Sequence, residues 1–340
     1  MKKERILWVD VLNICACIGV LILHTTNVQV HHWDGHKNVE FWWGLTTHTV
    51  FYWPVPVFLM LSGLNLFTPP NLSENLPLFY KKRFVKTLIP FLLWSLIYSL
   101  PVIITQKLSF SELLTGIVQC KFNGYLWFFI PLFAFYLSFP ILNRWIKGAS
   151  NAEVLFYIYS GVLLLFVIQP CFRLMNLGFF NYNIFPVGGS LLLYPVIGYV
   201  ISKYDIFNVY RKWVYTVGAF AVFAHFILLY ISITVLNDSH RFQNTEELTS
   251  LLIASAIFVW FMNVNWGKML RRINFPISIT QTLSSCSLGV YLIQFLLLVF
   301  SKKYGLPLHS PYIGAVLTYM VAVPIVIVMK KIPGVKYLVP

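Results

Sequence analysis

Arg5 to Asn27 reads RILWVDVLNICACIGVLILHTTN, and this stretch decides what kind of chain it belongs to. It is apolar enough and long enough to cross a bilayer, yet it carries Asp10, Asn13 and His24. At about 100° per residue, Asp10, Asn13, Cys17 and His24 fall on one helical face. Asn13 and His24 lie about three turns apart, roughly 16 Å at a rise of about 1.5 Å per residue. The span therefore carries a polar seam along its length. Polar and ionisable groups inside a membrane face a protein interior or a watery cavity and are functional candidates by default. A histidine resting in the headgroup region is the plainer reading of His24 from this helix alone.

Composition extends the reading to the whole chain. Of 340 residues, 58% are hydrophobic and 11% charged, against about 25% charged in soluble domains. The chain is expected to be an all-α, polytopic membrane protein. Unbroken, helix-length apolar runs exclude a β-barrel, whose strands alternate with period two. Ten spans are predicted, near 7–27, 42–67, 86–106, 125–142, 152–170, 185–202, 213–236, 250–264, 283–300 and 312–329. The eighth is short and open to being tilted or re-entrant. One membrane domain over residues 1–340 is expected, because the connecting loops are too short to bury a core of their own. No internal repeat of the transporter kind is seen.

The net charge of +14 does not point to nucleic acid, because the cations punctuate apolar segments instead of forming a patch. With the N-terminus inside, the inner side holds 18 Lys and Arg and the outer side 7, so both termini are expected in the cytoplasm. Trp42, Trp43, Trp53, Trp94, Trp127, Trp145, Trp213 and Trp266 lie near predicted span ends and read mostly as an interfacial belt. The first span is too long for a cleavable signal and lacks a cleavage site after it.

Several stretches can carry chemistry. His24 suits a general base for acyl transfer to an alcohol, and equally a proton relay in a transporter. Tyr80 to Lys86, YKKRFVK, places four cations at the inner mouth of the third span. Lys82, Arg83 and Lys86 can hold phosphates, Lys as a point charge and Arg as a fork. Arg83 and Lys86, three apart, are expected to share a helix face; ordinary positive-inside anchoring explains the same cations. Ser62 and Gly63 permit close helix packing. Ser284 to Gln294, SSCSLGVYLIQ, contains a serine run without a nucleophile elbow. In the outer loop, His31, His32, Asp34 and His36 match no zinc spacing, so no metal site is expected. Cys120 and Cys171 fall on the same side, which permits a disulfide.

Taken together and in chain order, these pieces resemble the acyltransferase 3 family of membrane acyltransferases. That family opens with D-x-L-R…H, matched here by Asp10, Leu12 and His24, with Asn13 at the arginine position. VFLMLSG (57–63) resembles its F-F-x-x-S-G segment. FYKKRFVKTLIPFLLW (79–94) is similar to its Y-x-x-R-x-x-R-I-x-P-x-Y segment, with Lys86 at the second arginine. GYLWFFIPLFAFYLSFPIL (124–142), which contains Trp127, resembles its H-L-W-F-L stretch. YPVIGYVIS (194–202) and SLGVYLIQ (287–294) resemble later segments, with Gln294 where a histidine is frequent.

The resemblance implies a ten-helix O-acyltransferase that draws an acyl group from cytoplasmic acyl-CoA, usually acetyl-CoA. The implied acceptor is a hydroxyl of a cell-surface polysaccharide or its lipid-linked precursor. It implies His24 as catalytic residue, Lys82, Arg83, Lys86 and Asn13 at the donor, and Asp10, Ser62 and Trp127 in support. No cofactor is permanently bound in this reading. The expected partners are donor, sugar acceptor and membrane lipids, in a bacterial plasma membrane, without nucleic acid. The departures at Asn13 and Lys86 put donor binding by the usual residues in question. A flippase for a lipid-linked sugar and a non-catalytic component of polysaccharide assembly remain the rival readings.

Overall fold

A computed structural model describes residues 6–31, 37–68, 75–106, 108–174, 189–238, 241–242 and 245–340, without the side chains of 27–31, 173–174 and 309. The described residues form helices joined by short turns. In chain order these are α1 Leu7–His31, α2 Val39–Val50, α3 Pro54–Phe67, α4 Leu76–Arg83, α5 Ile89–Gln106, α6 Phe110–Val118, α7 Phe129–Gly148, α8 Asn151–Gly161, α9 Gln169–Leu174, α10 Ser190–Lys203, α11 Ile206–Val209, α12 Arg211–Thr234, α13 Leu248–Asn263, α14 Trp266–Arg272, α15 Ile277–Tyr304 and α16 Ile313–Lys331. A π-helical turn, Phe84–Leu88, joins α4 to α5, and a second, Val162–Ile168, joins α8 to α9.

Each predicted span contains helix where it is described, and the membrane-crossing stretches can be counted among the described residues. Eight helical stretches are long and apolar enough to cross. A ninth forms only if α13 and α14, bent by 67° at their junction, count as one span. That bend falls at the eighth predicted span. The sixth, α10, has 14 residues. At about 1.5 Å per residue this described part reaches roughly 21 Å of a hydrocarbon core of about 30 Å, and residues 185–188 of the predicted span lie outside the described residues. α2 and α3 are one predicted span interrupted at Phe51–Trp53, with Pro54 opening α3.

Packing follows from small residues at crossings. α3 and α10 press together through two glycines. A Cβ on Gly63 would lie 1.9 Å from the carbonyl oxygen of Pro195, and one on Gly198 would lie 2.4 Å from that of Met60. Backbone approaches this close exclude any side chain. Gly289 does the same for α15 and α16, where its Cβ would meet Val326 at 2.7 Å. Phe67, Phe79, Phe135 and Phe139 fill the space between α3, α4 and α7 with ring contacts of 4.9 to 6.1 Å. Leu137, Phe156, Phe220 and Met320 face outward, as lipid-facing residues must.

Three predicted belt tryptophans belong to the interior instead. Trp53, Trp94 and Trp266 are buried. Trp94 Nε1 donates to the Leu338 carbonyl at 2.9 Å and Trp266 Nε1 to that of Phe261 at 2.8 Å. An indole needs such an acceptor once buried. Cys120 and Cys171 are free thiols. Most of the outer histidine cluster, His32 to His36, lies outside the described residues.

Candidate active site

The seam on α1 faces α15. Asn13 Nδ2 donates to the Ser284 carbonyl at 2.8 Å and meets Ser284 Oγ at 3.0 Å. Cys17 Sγ points to the Ser287 carbonyl at 3.7 Å. His24 Nδ1 lies 3.2 Å from Gln294 Oε1. The partners advance together along both helices, so α1 and α15 run parallel with an offset of 270 or 271 residues. The serine run is thus a polar rail for the seam: small hydroxyl residues allow α1 to approach, and exposed carbonyls meet its donors. An amide left unbonded in hydrocarbon would cost several kcal/mol, on the order of 2–7, which is why Asn13 has this partner.

Beside the rail opens a cavity of about 400 Å³, within the range of small-molecule sites. Asp10, Asn13, Ser62, Thr87, Ser284 and Ser287 supply polar wall. Val20, Phe58, Phe128, Leu132 and Tyr291 supply apolar wall. The cavity follows α1 from Ile6 to Val20, ending about one turn short of His24. Ser62 bonds its own helix through the Phe58 carbonyl at 2.8 Å. Asp10 is buried in the wall.

Two tyrosines separate the cavity from His24. The Tyr125 ring stacks on the imidazole, with centroids 3.8 Å apart and planes 20° off parallel. The Tyr291 hydroxyl, from the cavity wall, donates to the Tyr125 carbonyl. Phe295 closes on the far edge of Tyr125, centroid to centroid 5.3 Å. The imidazole itself is half-buried. With Gln294 Oε1 opposite Nδ1, the proton sits on Nδ1 and Nε2 keeps its lone pair. Gln294 is fully buried, and its amide Nε2 has no hydrogen-bond partner among the described residues.

The basic stretch divides. Arg83 is half-buried, with its guanidinium 5.3 Å from the Tyr136 ring and 5.5 Å from the Phe79 ring. Tyr136 lines the cavity, as does Thr87, whose hydroxyl bonds the Arg83 carbonyl at 2.7 Å. Arg83 Nε has no hydrogen-bond partner among the described residues. Lys82 and Lys86 are exposed and absent from the cavity wall. The π turn begins directly after Arg83. Its wider ring of i to i+5 bonds turns Lys86 away from the face that Arg83 occupies.

The chain matches the acyltransferase domain of the acyltransferase 3 family over residues 6–329. It belongs to that family. Neither the curated proteins nor the solved structures give a match.

In this acyltransferase 3 family member, the structure brings Asp10, Asn13 and Ser62 to one cavity, sets Arg83 outside its wall behind Tyr136 and Thr87, and sets His24 beyond its end. Trp127 is not among them. It sits in a 3₁₀ turn, Gly124–Phe128, and faces outward, while Phe128 takes the place in the wall. Sequence reasoning missed Tyr125, Tyr291 and Gln294 as the surroundings of His24. All three stand in stretches that the family pattern had singled out. What it could not supply was the pairing of the first span with the ninth.

Proposed function

We propose that the protein is a multi-pass O-acyltransferase of a bacterial plasma membrane. It moves an acetyl or similar acyl group from cytoplasmic acyl-CoA to a hydroxyl of a cell-surface polysaccharide or its lipid-linked precursor. The observation that carries the reading is the placement of His24. An imidazole, held by its Nδ1, stands one turn past the end of a cavity of ligand size. The Lys and Arg bias reads both termini as cytoplasmic, and with that orientation the Arg83 end of the cavity faces the donor's side.

The chemistry follows from the site. The donor's phosphates rest at Arg83, with Lys82 and Lys86 adding local positive charge from the surface. The neutral amides and hydroxyls of Asn13, Ser62 and Ser287 suit the amide-bearing arm of the donor. The thioester passes Tyr291 to reach His24, so the Tyr125–Tyr291 contact has to open by a side-chain movement. The acceptor hydroxyl enters from the opposite side. His24 Nε2 takes its proton as the oxygen attacks the thioester carbon. The carbon–sulfur bond then breaks, and the departing thiolate receives the proton from His24. The buried amide of Gln294 is suited to donate to the carbonyl oxygen as charge develops there. A flippase needs a passage open in turn to both sides; the aromatic plug of Tyr125, Tyr291 and Phe295 gives that reading less support.

The test is the purified protein in nanodiscs with radiolabelled acetyl-CoA, wild type beside His24→Ala and Arg83→Ala. Acetyl release or transfer by wild type, lost in His24→Ala and weakened in donor affinity by Arg83→Ala, is the expected result. A His24→Ala variant with wild-type turnover would sink the assignment. A wild type that neither binds nor consumes acetyl-CoA moves transport ahead.

A further inference from the structure

Among the described residues of the cavity wall, Asp10 is the one acidic residue and no Lys or Arg is present. Asn13 adds no charge, and its amide nitrogen is directed to Ser284. A ligand that ends in phosphates therefore needs its cations at the mouth. Arg83 is one. The second stands far from the basic stretch in sequence.

Lys330, in the last turn of α16, donates from Nζ to the Ser285 carbonyl at 2.7 Å. Ser285 is an exposed member of the cavity wall, so the ammonium is held at the rim. A close helix contact lies beside it. Val326, one turn earlier on α16, sits against Gly289, one turn later on α15. That contact locks the two helices at the height of the rim. The Lys330 side chain is half-buried, which limits how far its charge can wander. Arg83 reaches the cavity through Tyr136 and Thr87 on α7 and the π turn, and Lys330 through Ser285 on α15. The two cations thus stand on different walls. Lys82 and Lys86 have no such anchorage.

We infer that Lys330 is a donor-binding residue, which with Arg83 clasps the phosphate-bearing end of the acyl donor at the mouth of the cavity. Arg83 offers a planar fork and Lys330 a compact point charge. This rests on the acyl-CoA reading given above. It adds a cation that neither the basic stretch nor the seam contains.

The experiment compares acetyl-CoA with acetyl-pantetheine, which carries the same thioester arm without phosphates. KM and kcat are measured for both donors in nanodiscs, for wild type, Lys330→Ala, Lys330→Arg and the exposed neighbour Lys331→Ala. Lys330→Ala is expected to raise KM for acetyl-CoA about tenfold or more, as loss of a charged contact does. Its kcat should hold, and its KM for acetyl-pantetheine should match wild type. Lys330→Arg should keep most of the affinity, and Lys331→Ala should behave as wild type. Equal losses with both donors would assign Lys330 to the fold and overturn the clasp. No change with either donor would overturn it as well. A wild type that consumes neither donor removes the acyl-CoA reading and the clasp together. A wild type that consumes both, with a Lys330→Ala variant that does not distinguish them, removes the clasp alone.

Discussion

Two of the histidines inside this helix bundle, His24 and His225, have surroundings that differ in kind. His24 is half-buried, stacked on Tyr125, held at Nδ1 by Gln294, and one turn from the end of a cavity. His225 is fully buried on α12. Its Nδ1 lies 2.9 Å from Thr249 Oγ1 on α13, the Tyr52 ring stands 5.7 Å away, and it lines no part of the cavity beside α1. Both have a neutral partner at Nδ1. Only His24 stands near the end of that cavity, behind Tyr125 and Tyr291. An imidazole in a membrane is therefore not a site by virtue of its depth; access and an orienting partner make it one.

The largest test of this contrast is His24→Ala. Loss of a general base should lower acetyl transfer by about 10²–10⁴-fold, read as kcat with labelled acetyl-CoA, while the protein keeps its thermal unfolding profile. Next is Gln294→Leu, which preserves volume but removes the group that fixes the ring. A drop in kcat of about tenfold or more is expected from one lost hydrogen bond in a buried setting, with KM for the donor close to wild type. If KM moved instead, Gln294 would belong to donor binding.

His225→Ala should do the reverse of His24→Ala. It leaves Thr249 without its partner and opens a void between α12 and α13. A stability loss of about 1–3 kcal/mol is expected, seen as a lower unfolding midpoint, with kcat per folded molecule within about twofold of wild type. Turnover abolished in a folded His225→Ala protein would erase the distinction between the two histidines. The smallest effect is expected from Trp127→Ala, whose indole faces outward. A change of less than about twofold in either constant fits its placement, since exposed substitutions cost little. A larger one would give Trp127 the supporting role that the family pattern implies.

Much of this was readable before the structure. The periodicity of α1 located the seam, because Asp10, Asn13, Cys17 and His24 share a face on any regular helix. The composition established the membrane class, and the Ser62–Gly63 pair signalled a close crossing that Gly63 in fact makes with Pro195. Other features needed three dimensions. Gln294 meets His24 across 270 residues, and no local pattern encodes which apolar helix lies beside which. The π turn after Arg83 inserts one extra residue into a turn, so spacing rules built on a regular helix misplace Lys86. Trp94 and Trp266 look like interfacial anchors by position, yet each finds a carbonyl inside.

The parallel pairing of α1 with α15 also sets an order of assembly. The ribosome releases His24 ahead of Gln294, by 270 residues. The first helix has to enter the bilayer with its seam unpartnered, and wait there while most of the chain is made. A nascent or truncated chain that stops before α15 carries His24 without Gln294 beside it. Such a chain keeps the Asn13 amide and the His24 ring without their partners on α15, so the polar seam is the part of a half-built copy that the bilayer tolerates least.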